Sequence, residues 1–323
     1  MPPSPLHGRR ALVLGASGFL GRWVTRELLQ RGAHVLAQVR DPARLSPWHT
    51  GGAEVLVADL APTKAGTELL RRASPDVVFN LVGHGVAKDE RDPLLYQRLN
   101  GLVVLELLFA LRGPSPWPGA RLVHAGSALE YGEARTLDEQ AVPRPGEPYG
   151  KSKHLATAAI ADMRAHVPAV VARLFTVFGP GERPGRLVPT LVAARGTTER
   201  IPLSSGHQKR DLVYVEDAAR ALVELAELPA ETLQSGRYPF DAPCLNLASG
   251  ALTPVRELVL ALADELGIAR ARLGFGDLPP LLEEMHHPPV PVERLHTALG
   301  WTPSRDPRDG LRRLAARLAE GLA

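Results

Sequence analysis

Short apolar runs alternate with segments of helical period along the first half of the chain. The predicted strands are the runs at residues 11–14, 34–39, 54–57, 76–82, 120–124 and 170–175, and the predicted helices are at 20–30, 65–72 and 94–111. Apolar runs without polar alternation are typical of parallel strands buried on both faces, with helices between them as crossovers. The pattern therefore predicts an α/β fold with a doubly wound parallel sheet.

The pattern changes after Phe178. The sequence Gly-Pro-Gly-Glu-Arg-Pro-Gly follows, and the later elements are shorter and separated by proline-rich loops. One later strand and helix are regular enough to return to the main sheet. We therefore expect a first domain over residues 1–178, joined by 210–249, and a smaller second domain made of 179–209 and 250–323.

Composition and charge narrow the classes of partner. The 323 residues contain 38 Lys and Arg against 35 Asp and Glu, a net charge of +3, which is too small an excess for a surface that coats nucleic acid. Cys244 is the single cysteine, so the chain forms neither an internal disulfide nor a Cys-x-x-Cys site, and we expect a reducing compartment, the cytoplasm. The histidines lack a metal-ligand spacing such as His-Glu-x-x-His, so we expect no metal.

Neither a membrane span nor a signal peptide is expected from the sequence. The longest apolar stretch, residues 102–111, is interrupted by Glu106 and is far shorter than the ~20 residues that cross a bilayer. The apolar run near the N-terminus ends in a glycine turn and not in a small-residue cleavage site. The expected partners therefore do not include a membrane.

A glycine-rich turn joins the first predicted strand to the first predicted helix. Glycines at these spacings permit a tight turn, close backbone approach to a pyrophosphate and close packing of helix on strand, while the helix N-terminus supplies amide donors. Strand, turn, helix and second strand follow in the order that a dinucleotide site requires. The sequence therefore predicts cofactor contacts at Gly15, Ser17, Gly18, Phe19, Leu20 and Gly21.

The residues after the second strand bear on the choice between NAD and NADP. An NAD site usually has Asp or Glu there to bind the ribose 2′-hydroxyl, whereas this chain has Val39-Arg40-Asp41. Arg40 can pair with a 2′-phosphate, which favours NADP. The alternative is that Arg40 is solvated and Asp41 binds the ribose of NAD. After the third strand, Asp59 and Leu60 are placed to contact the adenine.

A Tyr-x-x-x-Lys pair lies at the start of a predicted helix after the fifth strand. Tyr149 and Lys153 are four residues apart, so they share one helix face. A nearby ammonium group stabilises tyrosinate, whose unperturbed pKa is about 10, and so lets the phenol exchange a proton with a carbonyl or alcohol. Ser127 follows the fifth strand at the carboxyl edge of the sheet, where it can bind the same oxygen. These three residues form the candidate catalytic group.

Further motifs lie at the ends of the predicted strands and at helix starts. They are Asp59-Leu60, Asn80-Leu81-Val82-Gly83, Asn100, Ser127-Ala128-Leu129-Glu130-Tyr131-Gly132, Tyr149-Gly150-Lys151-Ser152-Lys153, and the stretches 173–180 and 210–217. Together with the glycine turn, they resemble the extended short-chain dehydrogenase/reductase family over nearly the whole chain. Within that family the chain is most similar to the nucleotide-sugar epimerases, dehydratases and 4-ketoreductases.

The resemblance implies a Rossmann domain with a smaller substrate domain. It implies that Ser127, Tyr149 and Lys153 are catalytic and that Arg210 contacts the diphosphate of a nucleotide sugar. On the same basis we expect further contacts to the cofactor and to the substrate. The cofactor set is Leu81, Val82, Gly83, Asn100, Tyr149 and Lys153, and the substrate set is His84, Lys88, Ser127, Arg186, Arg210 and His286.

The resemblance also implies a homodimer, formed through the helices at 94–111 and 149–165. The first of these helices carries Leu102, Leu105 and Leu108 at helical spacing. Such an apolar stripe fits an interface, and it fits an ordinary core equally well.

Two departures from the family pattern bear on the reaction. Ala128 and Leu129 stand where sugar 4,6-dehydratases usually have an acidic residue, which disfavours a dehydratase. Pro280-Leu281-Leu282 stands where the family often has an arginine on the diphosphate, which weakens the prediction of a second phosphate contact.

Three functions remain, of which the leading hypothesis is an NADPH-dependent reductase for a keto group on a nucleotide-linked deoxysugar. It rests on the catalytic group and on Arg40. A nucleotide-sugar epimerase with tightly bound NAD would use the same catalytic group. A non-catalytic dinucleotide-binding module is disfavoured, because Ser127, Tyr149 and Lys153 are all present.

Overall fold

The computed structural model describes residues 3–45, 51–85, 90–112, 120–134, 136–279 and 287–321. Its strands are β1 Arg10–Leu14, β2 His34–Val39, β3 Glu54–Val57, β4 Val77–Asn80, β5 Arg121–Ser127, β6 Ala169–Leu174, β7 Thr176–Phe178, β8 Ile201–Leu203, β9 Lys209–Tyr214, β10 Cys244–Leu247, β11 Leu252–Pro254 and β12 Leu273–Phe275. Its helices are α1 Phe19–Gln30, α2 Ala65–Ala73, α3 Pro93–Arg112, α4 Pro148–Met163, α5 Leu187–Ala194, α6 Val215–Glu227, α7 Ala230–Leu233, α8 Val255–Leu266, α9 Glu293–Leu299 and α10 Pro307–Ala319.

Seven strands form the main sheet, in the order β10-β6-β5-β4-β1-β2-β3. Strand β1 pairs in parallel with both β2 and β4, and β5 pairs in parallel with both β4 and β6. The strand order therefore reverses between β1 and β4, and ligands of such sheets bind at the carboxyl ends of the strands beside that point. The observed order confirms the predicted doubly wound fold.

The residues of β1 explain why the sheet is covered on both faces. Ala11, Leu12, Val13 and Leu14 are all 0 % exposed, although successive side chains of a strand point to opposite faces. Leu12 and Leu14 belong to a core cluster with buried side chains of α2, α3 and α4. Helix α1 contributes no residue to that cluster, yet it packs against β1 and β2.

Helix α3 is apolar enough and long enough to fit a membrane span by composition and length. Its buried side chains nevertheless pack within the core cluster, and 44 % of its apolar window is buried. Helix α3 therefore has the contacts of a core helix that packs against the main sheet. Within the predicted leucine stripe, Leu108 is buried in that core, Leu105 is partly buried and Leu102 is 43 % exposed.

The chain folds as two compact units. The first comprises Met1–Leu174, Ala219–Asn246 and Glu293–Trp301, and the second comprises Phe175–Ala218, Leu247–Val292 and Thr302–Ala323. The first unit contains the main sheet. The second contains a three-stranded sheet of order β11-β9-β7 and a two-stranded sheet of β12 and β8.

The expected domain boundaries differ from these units at four stretches, residues 175–178, 210–218, 247–249 and 293–301. Strand β9, expected in the first domain, lies in the second unit because it pairs with β7 and with β11. Residues 293–301, expected in the second domain, lie in the first unit, where Arg294 pairs with Asp241 and the Trp301 indole donates to Glu224. The pattern of a short apolar strand such as β9 fits either sheet. The contacts of Arg294 and Trp301 join distant parts of the chain. The placement of these segments therefore does not follow from the local sequence pattern.

Candidate active site

The glycine turn after β1 has the geometry of a pyrophosphate cradle. Gly15 has a φ of 77°, and a Cβ on Gly15 would lie 3.3 Å from the backbone of Leu81. A Cβ on Gly21 would lie 2.1 Å from the Gly15 carbonyl oxygen. The amide of Gly18 donates to that oxygen at 2.9 Å, and α1 begins at Phe19. Because the first amides of a helix have no acceptor within it, this turn fits the phosphates of a dinucleotide.

Gln38 holds the glycine turn from β2, and the sequence analysis missed it. Its Oε1 accepts from the Gly15 amide at 2.8 Å, and its Nε2 donates to the Ala58 carbonyl oxygen at 2.6 Å. The side chain is buried. One signal could have found it, since Gln38 is a lone polar residue among the apolar residues of a buried strand.

Arg40 and Asp41 follow β2 and are both exposed. The Asp41 carboxylate caps the short helix Pro42–Arg44, where it accepts from the Ala43 amide at 3.0 Å, and it also lies 3.9 Å from the Arg44 guanidinium. Within the described ranges, no hydrogen bond or ion pair holds the Arg40 guanidinium. The Asp41 carboxylate is thus hydrogen-bonded within its own loop, whereas the Arg40 guanidinium is available to bind an anion.

Asp59 and Leu60 follow β3, which neighbours β2. Leu60 is buried and belongs to the core cluster. The exposed Asp59 carboxylate accepts from the Ala61 amide at 3.0 Å. Of this predicted pair, Asp59 alone presents its side chain at the carboxyl edge of the sheet.

Ser127, Tyr149 and Lys153 come together at the carboxyl end of β5. Ser127 is the last residue of β5, and α4 carries Tyr149 in its first turn and Lys153 one turn later. The Ser127 side chain lies close enough to the Tyr149 phenol to lower its pKa. The buried Lys153 ammonium donates to the carbonyl oxygens of Ala125 at 3.0 Å and Val82 at 3.3 Å. The structure therefore assembles the three predicted catalytic side chains in one place.

Burial governs the protonation of this group. Burial lowers the pKa of Lys153 to about 8, and the negative charge of Glu130 acts against that shift. Burial also raises the pKa of Tyr149, the charges of Glu130 and Glu90 add to this rise, and the nearby Ser127 side chain opposes it. At neutral pH the phenol is therefore protonated and can donate its proton, beside a lysine that titrates close to neutrality.

Asn100 joins three elements around Lys153. It lies in the π-helical part of α3, where its Nδ2 donates to the Ser152 hydroxyl and to the His84 carbonyl oxygen, both at 2.9 Å. Its Oδ1 accepts from the His84 amide at 2.8 Å. A Cβ on Gly83 would lie 3.7 Å from the Lys153 Nζ. The loop after β4, which carries the predicted cofactor contacts, is thus held against α4.

Asn80 of the quoted motif forms a buried polar pair with His124, which the sequence analysis missed. Asn80 Nδ2 and His124 Nδ1 are 3.1 Å apart, and both side chains are fully buried. Burial lowers the pKa of His124, and the positive charge of Lys153 lowers it further. His124 is therefore neutral and adds no second positive charge beside Lys153.

The predicted substrate contacts lie in different parts of the chain. His84 belongs to the first unit, whereas Arg186 and Arg210 belong to the second. The predicted contacts Lys88 and His286 lie outside the described residues. In the part of the chain that the structure describes, no group of three or more His, Cys, Asp or Glu side chains is arranged to hold a metal ion.

A glycine turn after β1 of a parallel sheet, with Ser, Tyr and Lys at the end of β5, is the arrangement of an NAD(P)-dependent enzyme of the short-chain dehydrogenase/reductase class. Residues 11–239 match the model of the NAD dependent epimerase/dehydratase family, and the chain belongs to this family. This confirms the resemblance and the expectation of an enzyme, and it removes the hypothesis of a non-catalytic binding module.

Curated relatives include redox enzymes and epimerases. The chain is 30 % identical over 313 residues to dTDP-6-deoxy-L-talose 4-dehydrogenase (NAD(P)(+)) of Kitasatospora kifunensis, covering 94 % of each chain. It is 24 % identical to a probable UDP-glucuronate 4-epimerase of Rhizobium meliloti, over 68 % of this chain and 69 % of the relative. The chain is thus related to enzymes of both reaction types.

Solved structures show the same architecture. A putative epimerase from Burkholderia cenocepacia superposes with a TM-score of 0.78 at 26 % identity, covering 98 % of this chain and 99 % of the other. MoeE5, solved with UDP-glucuronic acid and NAD, superposes with a TM-score of 0.76 at 27 % identity, covering 97 % and 99 %. The cofactor of this chain is accordingly NAD or NADP, as the glycine turn predicts.

Proposed function

We propose that the enzyme uses NADPH to reduce a keto group on a nucleotide-linked deoxysugar. The observation that carries the proposal is the exposed guanidinium of Arg40, beside an Asp41 carboxylate that already binds its own loop. A 2′-phosphate pairs with a guanidinium, whereas a ribose 2′-hydroxyl needs a carboxylate. The talose 4-dehydrogenase of Kitasatospora kifunensis is named for the reverse of such a reduction.

In the proposed reaction, the Tyr149 phenol donates the proton to the keto oxygen. The Ser127 hydroxyl binds the same oxygen and so orients it toward Tyr149. The Lys153 ammonium, fixed by the carbonyl oxygens of Ala125 and Val82, stabilises the tyrosinate that remains. NADPH, when bound, supplies the hydride.

A nucleotide diphosphate sugar is the substrate class that the comparisons support. MoeE5 has been solved with UDP-glucuronic acid and with UDP-glucose. For this chain we assign the diphosphate to Arg210, since a guanidinium suits a phosphate. The other proposed substrate contacts are His84, Lys88, Ser127, Arg186 and His286.

The second candidate function is a nucleotide-sugar epimerase with tightly bound NAD. It is favoured by the relatives named as UDP-glucuronate 4-epimerases and by the NAD in the MoeE5 structures. Epimerisation oxidises and re-reduces one carbon, so it needs no external reductant and uses the same Ser127, Tyr149 and Lys153.

Two measurements distinguish these functions. The first identifies any dinucleotide released when the purified protein is denatured. The second follows NADPH or NADH consumption with a dTDP-linked 4-keto-6-deoxysugar. Consumption of NADPH by protein purified without cofactor supports the reductase. Retained NAD, together with interconversion of a UDP-sugar without added reductant, would show that the proposal is wrong and that the enzyme is an epimerase.

We further propose that the enzyme acts as a homodimer in the cytoplasm. Leu94, Leu102 and Phe109 on α3 are exposed at 80 %, 43 % and 61 %, although the opposite side of the helix is buried in the core. An apolar surface of this kind on a helix suits burial against a second copy.

A further inference from the structure

Glu130 is a fully buried carboxylate that no step of the proposed reaction uses. It ends the short helix Ala128–Glu130, which follows β5 directly and therefore lies beside Ser127. A buried carboxylate is costly unless hydrogen bonds and an opposite charge compensate for the loss of water. The partners of Glu130 accordingly show what this charge does in the fold.

One oxygen of Glu130 fixes the backbone of Ser127. The Ser127 amide donates to Glu130 Oε1 at 2.8 Å, while the Ser127 Oγ accepts from the Leu129 amide at 3.2 Å. These two bonds form a capping box, in which each side chain binds the backbone of the other residue or its neighbour. The Ser127 hydroxyl therefore has one acceptor position occupied, and its proton remains for the keto oxygen of the proposed substrate.

The other oxygen of Glu130 reaches two further elements. The Thr157 hydroxyl, on α4, donates to Oε2 at 2.7 Å, and the Arg173 Nε, on β6, donates to the same oxygen at 3.3 Å. Helix α4 is the helix that carries Tyr149 and Lys153. One carboxylate thus ties the strand end with Ser127 to the helix with the other two catalytic side chains.

The titratable groups that face this carboxylate come from three elements. They are Arg173 on β6, Lys153 and Tyr149 on α4, and Cys244 on β10. Arg173 forms the ion pair, and its guanidinium also lies 4.4 Å from the centre of the Tyr131 ring. Among these groups, Lys153 is the cation that titrates closest to neutral pH.

We propose that Glu130 is a positioning residue that sets the Ser127 hydroxyl against α4, the helix that carries Tyr149 and Lys153. The inference adds a residue role to the proposed function. It rests on that function only in the turnover assay, which uses the proposed substrate. Through Oε1 the carboxylate orients Ser127, through Thr157 it holds α4, and its negative charge favours the protonated lysine. Because burial lowers the pKa of Lys153, loss of this charge would leave the lysine neutral over a wider range of pH.

Two substitutions separate the geometric contribution of Glu130 from its charge. Glu130→Gln keeps an amide oxygen for the Ser127 amide, since glutamine also forms capping boxes, but it removes the charge. Glu130→Asp keeps the charge but withdraws the carboxylate by one methylene. Glu139→Gln is the matched control, because Glu139 is a buried carboxylate of the same unit that pairs with Arg294 and binds the Asn246 amide, and its charge is not among those that shift the pKa of Tyr149 or Lys153.

The first readout is the titration of Lys153 by NMR of the full chain with ¹³C-labelled lysine. The sequence contains five lysines, and a Lys153→Arg sample identifies the resonance. In the wild type Lys153 is expected to titrate near pH 8. In Glu130→Gln it should titrate at lower pH, whereas in Glu130→Asp and in Glu139→Gln it should stay near the wild-type value.

The second readout is turnover of the keto sugar. Glu130→Gln and Glu130→Asp should each lower kcat by about 10- to 100-fold with little change in KM, because both disturb the positioned proton donor and not the binding of cofactor. In Glu130→Gln the alkaline limb of the pH–rate profile should also move to lower pH. Wild-type kcat together with wild-type Lys153 titration in Glu130→Gln would overturn the inference, as would an equal shift in the Glu139→Gln control.

The two proposals fail in distinguishable ways. A shifted Lys153 titration in a protein that reduces no keto sugar would leave the inference standing and the proposed function wrong. Reduction of the keto sugar at the wild-type rate by both Glu130 variants would support the proposed function and overturn the inference. Should Glu130→Gln fail to fold with Arg173 unpaired, Glu130→Asp decides: a reduced kcat with unchanged Lys153 titration supports the inference, and a wild-type kcat overturns it.

Discussion

The hydroxyl of Tyr149 is the proposed source of the proton, and its removal is the most direct test at the scale of single residues. Tyr149→Phe removes this oxygen and keeps the ring, so we expect the rate to fall by at least about a hundredfold while NADP binds nearly as before. Steady-state assays and a cofactor titration by fluorescence measure the two effects separately.

Tyr131→Phe is the control for loss of a buried phenol. Its hydroxyl donates to Asn246 at 2.8 Å and takes no part in the proposed reaction, so stability should fall and turnover should persist. Retention of more than about a tenth of the wild-type rate by Tyr149→Phe would contradict its assignment as the proton donor.

Arg40 carries the prediction for cofactor choice. Arg40→Ala removes one charge-assisted contact to a 2′-phosphate, worth roughly 1.5 to 3 kcal/mol, or about a 10- to 150-fold weaker affinity for NADP. The affinity for NAD should change little, because NAD lacks that phosphate. Titration of both cofactors against both proteins tests this selectivity.

Arg44→Ala is the matched control, since Arg44 is an exposed arginine in the same loop that lies beside Asp41. It should leave the ratio of NADP to NAD affinity unchanged. Equal affinities for the two cofactors in the wild type would mean that Arg40 does not read the phosphate, and the epimerase would then become the better proposal.

The sequence predicted those site residues whose spacing follows from local structure. Tyr149 and Lys153 are one helical turn apart, and Ser127 ends a strand, so pattern alone places them at one edge of the sheet. Gln38 and Glu130 were not predicted as site residues. Each acts through partners from several elements, and no local spacing encodes such contacts.

At the scale of elements, the packing of α1 on the glycine turn gives a test of the cradle. Gly21→Ala would place a methyl group 2.1 Å from the Gly15 carbonyl oxygen, so the helix must move away from β1. Such overpacking typically costs about 1 to 3 kcal/mol of unfolding free energy, and the displaced amides should bind NADP more weakly. Urea unfolding and a cofactor titration provide the two measurements.

Gly196→Ala is the control for the loss of a glycine. A Cβ at this position would have no neighbour within 4 Å, so both stability and NADP affinity should stay close to wild type. If Gly21→Ala behaved like Gly196→Ala, the close approach between turn and helix would not be a requirement of the cofactor site.

The boundaries of strands were predicted best where the apolar run in the sequence ends at the same residue as the strand. Strands β2 and β3 have the predicted bounds, but β4 ends at Asn80 although the apolar run continues through Val82. Residues 81–82 belong to the loop that meets the glycine turn and Lys153. The π-helical stretch Tyr96–Leu102, in which Asn100 bonds to Ser152 of α4, was not predicted, because the spacing of apolar residues in so short a stretch does not distinguish a π-helix from an α-helix.

The state of assembly is the property to test on the whole molecule. Phe109→Asp places a charge on the exposed apolar side of α3, so a dimer formed there should dissociate to a monomer of 34.8 kDa in light scattering. Val142→Asp alters an apolar residue outside α3 that is 75 % exposed, against 61 % for Phe109, and should leave the mass unchanged. A wild-type protein that is already monomeric at all concentrations would rule out the proposed dimer.

The fold of the whole molecule was predictable only in part. The doubly wound sheet follows from the alternation of strands and helices, which is a local property of the chain. The return of residues 293–301 to the first unit depends on Arg294 and Trp301, whose partners Asp241 and Glu224 lie far away in the sequence. Interleaved domains are set by such pairs, and a single sequence does not reveal them.

On the proposed role of Arg40 as the ligand of the 2′-phosphate, its exposure separates the choice of redox pool from the stability of the protein. Exchange of an exposed residue without partners typically alters folding by no more than about 0.5 kcal/mol, whereas the same exchange removes the contact that would distinguish the two dinucleotides. A lineage with this loop can therefore move between NADPH and NADH by single substitutions that leave the sheet and its helices intact. For an engineer, the same loop is the place to retune the electron donor of the enzyme without a compensating change elsewhere.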